Sequence, residues 1–596
     1  MTPRADVFTE GGVRQAVDLR LNTRMRVIAQ DPTVLGPNGR ILTAEVDVPR
    51  ARLEPGPRGP RFHVVDYDAT TGTYLEPTVL SADGDLFARV GDKTLREDFA
   101  FHAQQVYAVA ARTLATFESA LGRRIPWGFS GHQLYLVPHA FSEANAYYSP
   151  DDRALLFGYV LHGTPDGETV YSCLSHDVIA HETAHAVLDG LRNRFLEPGL
   201  PDQAAFHEGF ADIVALLSVF SMREVVEIAL GPAEGSRIDR RHLQPQALRA
   251  SILTGVAEQL GDVLTQGRGA LRQSALETPP TGWSGSPAFL EPHRRGEVLV
   301  GVVLDVLIDI WRRRLKPLLD PDGDRPTKTV DRRRAAEEGA KAAGQLLIML
   351  IRGLDYLPPV EFEFGDLLDA VILADEEVVP EDGLGYRKIL ESRFNAVGIE
   401  RPVGTSFDLL DGSASPQYRG LNYAALRADG DEVYRFLWEN ADIFGIDTTY
   451  YTYVDTVRPT QRIGPDGLVV AETVASYVQM LELTAVELKE RLGAAPDEMS
   501  GVGSVDVGDQ RVVDLPDDAT VRMFGGGTVV FDQFGRAKFH VHKRLDDWLR
   551  QERRLRYLRR AGLYGDKAPI GATFGLARGQ SIAALHDTDT SSGEVW

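Results

Sequence analysis

Cysteine is nearly absent from this chain of 596 residues: Cys173 stands alone. No internal disulfide framework can form, which fits a reducing compartment. Long apolar runs are missing too. The longest, VLVGVVLDVLIDIW, carries two Asp and falls short of the roughly 20 residues a membrane-spanning helix needs. The opening stretch, MTPRADVFTEGGVRQAVDLR, has no apolar core and no small-residue cleavage site, so it does not read as a secretory signal. The expected setting is therefore the cytoplasm. Positive charge is in deficit. A net charge of −22 argues against nucleic acid or an anionic membrane as the main partner. What remains, 43% hydrophobic and 25% charged, is the composition of a globular protein, and the length suggests several domains rather than one core.

Against that background two short stretches stand out. HETAHAVLDG, His181 to Gly190, lies in SHDVIAHETAHAVLDGL, which reads as an amphipathic helix with no proline before Pro198. At 3.6 residues per turn, His181 and His185 fall about 40° apart on one face, so both imidazoles can converge on one ion. Glu182 lies roughly 100° round the helix, near enough to touch a water on that ion without ligating it. This is H-E-x-x-H, a zinc site with its general base built in. HEGFAD, His207 to Asp212, follows on a second apolar helix. Glu208 can complete a His2Glu site with an open fourth position, and Asp212, one turn on, can accept the free ring N–H of a liganding histidine. Polar clusters inside apolar helices are costly to bury unless something binds them. One Zn2+ is expected.

The two motifs together, 23 residues from His185 to Glu208, resemble those of the thermolysin-like zinc metallopeptidases (gluzincins). NAYYSPDDRALLFGY, PHRRGEVLVG and RFNAVGIE are similar to further segments of that family. The resemblance covers about residues 95–402. It implies a two-lobed α+β fold, an antiparallel sheet plus helix over residues 1–170 and a helical zinc-binding lobe over 171–402. It also implies that Asn145 and Ala146 bind the substrate backbone and that His293 steadies an oxyanion. Two positions depart from the pattern. Leu191 to His207 contains no tyrosine, and Ala288 stands where the family has an aspartate, with Glu291 the nearest acid. Asp177 matches a family calcium ligand, yet its partner position is Val219, so calcium is not expected and Asp177 suits the first turn of the zinc helix.

The rest of the chain adds less. Residues 1–95 read as short strands between Pro/Gly-rich turns, and a helix runs from His102. Cys173 reads as a buried, inert thiol. DPDGDRPTKTVD, with Asp320, Asp322 and Asp324, reads as a solvated turn rather than a calcium loop. Residues 403–575 read as an appended α+β domain whose loss should leave the catalytic part intact, and 576–596 as a disordered tail. In that domain His540 and His542 share one face of a strand read as exposed. GVGSVDVG is a glycine-rich match without a following helix. RLDDWLRQERRLRYLRRAG reads as a basic helix with a solvated face, able to dock an acidic protein partner. The expected activity is a zinc-dependent endopeptidase acting on peptide or protein. An exopeptidase of the same fold, or a zinc-stabilised scaffold without hydrolysis, are the alternatives.

Overall fold

The computed structural model describes residues 5–7, 15–17, 22–36, 38–80, 85–143, 145–161, 169–197, 199–231, 235–252, 279–320, 327–404, 406–409, 416–493 and 520–560. The readings of GVGSVDVG, of Asp322 and Asp324 and of the tail fall outside those residues. The architecture is mixed α+β with several sheets. No described helix is long and apolar enough to cross a membrane.

The N-terminal layer contains an antiparallel pair, β1 (Asn22–Ile28) and β2 (Thr43–Pro49), which follows a short pairing of Ala5–Val7 with Gln15–Val17. Inward and outward residues alternate along β2, the signature of one covered face. That face lies on α1 (Phe99–Leu121), which Asp98 caps by accepting from Ala100 N–H and which ends at Gly122, φ +68°. Beside it sits a sheet of β3 (Phe62–Val64), β4 (Leu134–Phe141), β5 (Ala146–Ser149), β6 (Ala154–Val160) and β7 (Val170–Tyr171), in the order β7-β6-β4-β3 with β5 on β6. The sheet is mixed, not antiparallel as expected: β3, β4 and β6 run parallel, while β5 and β7 oppose β6. The cause is connectivity. α1 lies between β3 and β4 in the chain and returns it to the same end, and the β5 hairpin turns β6 back alongside β4.

The helical body follows: α2 (His176–Leu191), α3 (Pro201–Phe220), α4 (Pro292–Leu319), α5 (Arg332–Gly353), α6 (Phe364–Val378) and α7 (Tyr386–Ala396). α3 is buried almost all round, with Pro201 at its first turn. It crosses α4 at Gly209 and Gly296. A Cβ on Gly296 would meet Ala205 O at 2.9 Å and Gly209 N at 3.0 Å. Two glycines at the crossing let the backbones touch.

The C-terminal region forms a five-stranded antiparallel sheet, β8 (Ser406–Asp408), β9 (Tyr451–Ile463), β10 (Val469–Thr484), β11 (Thr520–Asp532) and β12 (Ala537–Lys543), in the order β8-β12-β11-β10-β9. Helix α8 (Gly430–Glu439) packs Val433, Phe436 and Leu437 against Tyr477, Val529 and Phe531. Val474, Val530 and Phe539 instead join the main core of the helical body. Both faces of β12 are thus covered. His540 and His542 are buried and stacked, ring centroids 4.7 Å apart, with Tyr477 Oη 2.9 Å from His540, which corrects the exposed-strand expectation. The basic helix, α9 (Trp548–Arg560), is corrected likewise. Arg550 and Arg554 are 1% exposed and pair with the carboxylate of Glu361 in the helical body. Its acidic partner lies within the same chain.

Separability fares no better. Arg462, on β9 and fully buried, donates to Asp355 Oδ2 and to Glu472 Oε2, each at 2.6 Å. Arg123 grips the other side of Asp355 through two 2.6 Å bonds, so a helical-body carboxylate is shared between the two ends of the chain. Thr528 Oγ1 donates to Leu357 O at 2.7 Å, and Lys543 pairs with Asp366 at 2.6 Å. These bonds tie the C-terminal sheet to the helical body.

Candidate metal centre and active site

α2 and α3 pack side by side and bring the two motifs face to face. One ligand atom each from His181, His185 and Glu208 lie within 4.8 Å of one another. The two Nε2 atoms are 2.9 Å apart, and a Glu208 oxygen stands 3.6 Å from each. The outer ring nitrogens are already committed. His181 Nδ1–H donates to Asp212 at 2.9 Å, as the spacing implied, and His185 Nδ1 lies 2.7 Å from His207 Nδ1. With the outer nitrogens protonated, both Nε2 lone pairs point at the same small space beside a buried carboxylate. Neutral imidazoles repel in that arrangement and a cation relieves it, either a proton on His181 or a metal ion, for which two nitrogens and one carboxylate suit zinc.

The electrostatics agree. Burial opposes charge on His181, but its hydrogen bonds to the carboxylates of Asp212 and Glu208 outweigh it and raise its pKa well above the usual value. Burial pushes the Glu208 carboxyl up, and His185, His181 and His293 more than reverse this, holding it ionised. Glu182 goes the other way: burial raises it, and the nearby histidines only partly offset that. A carboxylate lifted in this way is a better proton acceptor. Its Oε2 accepts from Tyr148 N–H at 2.9 Å, which fixes the side chain against β5.

His207 was not anticipated. Its ring stacks beneath His185 at 4.9 Å and 8°, and it orients His185 as Asp212 orients His181. The available signal was a third histidine directly before the Glu208 ligand. His293 reaches the same site from α4. Its Nδ1 lies 2.7 Å from Glu291 Oε1 and its Nε2 3.8 Å from Glu208 Oε2. Glu291 also caps α4 by accepting from the backbone N–H of His293 and Arg294, so the nearest acid both starts the helix and aims the ring.

Asn145 precedes and Ala146 opens β5, which among the described residues pairs with β6 alone. Tyr148 N–H faces away from β6 toward Glu182, so Ala146, two residues earlier, presents its N–H to the same outer edge. There it donates to Asn145 Oδ1 at 2.9 Å, while Asn145 O accepts from Gly158 N–H. The stretch without tyrosine serves packing instead. Arg192 donates to the carbonyls of Leu354, Asp355 and Leu357, and Arg194 to Tyr453 Oη at 2.8 Å on the C-terminal sheet. Asp177 is in the first turn of α2 as expected, but it faces Asp31, an acid that sequence distance concealed. Burial first, and Asp31 second, push its carboxyl up to about 7.

Cys173 is fully buried, and the thiol is pushed well up by burial. It stands with His102 and His139, away from the His181 cluster. Comparison with protein-family models and with curated proteins finds no match to this chain.

Proposed function

We propose that the chain is a zinc-dependent peptidase of the thermolysin-like, two-lobed kind, cutting within peptides or proteins. The observation that carries the reading is the joint placement of three convergent ligands, a buried non-ligating carboxylate and a half-open strand edge. His181, His185 and Glu208 would hold the ion, which when bound supplies Lewis acidity to a water and to a carbonyl oxygen. The chain's own residues do the rest. An extended peptide adds to the outer edge of β5, taking the place of the Asn145 side chain at Ala146 N–H. Glu182 takes a proton from the attacking water and returns it to the departing amine nitrogen. His293, aimed by Glu291, donates to the developing oxyanion, a contribution of about 3–4 kcal/mol for such donors. A cytoplasmic setting, read from the single cysteine, goes with this proposal, and no calcium requirement does.

Peptide-library cleavage by the purified full chain, with metal analysis, tests the reading. Internal cleavage that a chelator abolishes and zinc restores is expected, with one zinc lost in His185→Ala. Cleavage confined to chain ends would assign an exopeptidase. Retained zinc with no cleavage of any peptide would assign a scaffold.

A further inference from the structure

A second convergence of ligand atoms lies in the N-terminal layer. His102 is on α1, His139 on β4, and Cys173 in the short turn Ser172–Leu174 that leads into α2. All three are at most 1% exposed, and one ligand atom from each lies within 4.8 Å of the others. The outer nitrogens fix the tautomers. His102 Nε2–H donates to Arg96 O at 2.9 Å, and His139 Nδ1–H to Asp66 Oδ1 at 2.7 Å. That leaves His102 Nδ1 and His139 Nε2 as two lone pairs facing each other at 2.9 Å. A shared proton would relieve them only by charging one ring. Both rings are buried, which opposes that charge. Aromatic rings close the pocket: Phe99 lies 4.5 Å from His139 and Tyr171 4.7 Å from His102.

We propose that His102, His139 and Cys173 bind a second metal ion, a thiophilic transition metal of the Zn2+ or Cu+ class. Two imidazoles and a thiolate are the donor set such ions prefer, and Asp66 and the Arg96 carbonyl are the outer partners that liganding histidines commonly have. Binding replaces the Cys173 S–H bond with a sulfur–metal bond and releases the proton to solvent, with no change of oxidation state. The ion joins α1, β4 and the entry to α2, three residues before His176. Its role is structural: it pins the helix that carries His181 and His185 to the sheet that carries β5. The proposal does not rest on peptidase activity.

Elemental mass spectrometry of the full-length protein and of Cys173→Ser and His185→Ala tests it. Two ions per wild-type chain and one in each variant are expected, and the element lost with Cys173→Ser separates zinc from copper. One wild-type ion that disappears in His185→Ala but not in Cys173→Ser overturns this site and leaves the peptidase reading standing. One ion lost only with Cys173→Ser supports this site and overturns the other. Should Cys173→Ser fail to fold, cobalt-loaded His185→Ala protein gives a second measurement. A sulfur-to-cobalt charge-transfer band in that variant supports the site, and its absence overturns it.

Discussion

His293 is held 3.8 Å from Glu208 by its bond to Glu291, an orientation with no evident packing purpose. His293→Ala is therefore expected to lower kcat by about a hundredfold with KM little changed, as for a group acting in the transition state. An unchanged kcat in steady-state assays would remove it from the mechanism. Asp177 carries a pH prediction. Its folded pKa of about 7 lies above the unfolded carboxyl value, so the folded chain binds that proton more tightly. Stability from this group is fully present below about pH 4 and is lost as pH rises through 7. Asp177→Asn should then gain about 1–3 kcal/mol at pH 8 and nothing near pH 4, read from urea melts. Destabilisation at pH 8 would show instead that Asp177 serves a cation with Asp31. At this scale the convergence of His181 and His185 was legible because helical spacing brings i and i+4 together, and the approach of Glu208 was legible only as a second motif on another helix. His207, Asp31 and the His102–His139–Cys173 group were not, since their partners come from elsewhere in the fold.

The crossing of α3 and α4 is the element that delivers His293 to the ligands. Gly296→Val forces a side chain into Ala205 O and Gly209 N, so the helices must separate. A loss of about 1–3 kcal/mol is expected from such overpacking, with kcat falling because His293 withdraws from Glu208. Gly344→Ala is the control: nothing lies within 4 Å of the added methyl, and the melting temperature should hold or rise. Equal effects of the two substitutions would mean that helix propensity, not the crossing, sets the response. The helices themselves were readable from periodicity. Strand direction in the N-terminal sheet was not, because alternation marks faces and says nothing about which neighbour a strand finds. The same limit hid the burial of His540, His542 and the arginines of α9: an amphipathic face needs a partner, and the pattern does not say that the partner is in the same chain.

At the scale of the whole molecule, the buried ion pairs decide whether the C-terminal sheet can be removed. Asp355 is held well below the usual carboxylate range despite burial, by Arg123 and Arg462. Ending the chain after 402 takes away Arg462, Lys543, Arg550 and Arg554 and leaves Asp366 and Glu361 buried without these cations. Truncated protein is expected to be insoluble or to melt non-cooperatively. Arg462→Leu in the full chain should cost about 1–3 kcal/mol, since Asp355 keeps Arg123 and Glu472 keeps Lys538 while each loses one buried cation. A soluble, metal-loaded truncation would show that the sheet is dispensable after all. Composition marked a change of pattern near Pro402, but no local signal tells an appended domain from a sheet that completes the core.

The central claim is that Glu182 is a base and not a ligand. Glu182→Gln removes the base and leaves His181, His185 and Glu208 in place, so the measurement is zinc content and peptide cleavage on the same preparation. Wild-type zinc and a wild-type fold are expected, with cleavage reduced at least about a hundredfold. Cleavage near the wild-type rate with zinc retained would contradict the claim.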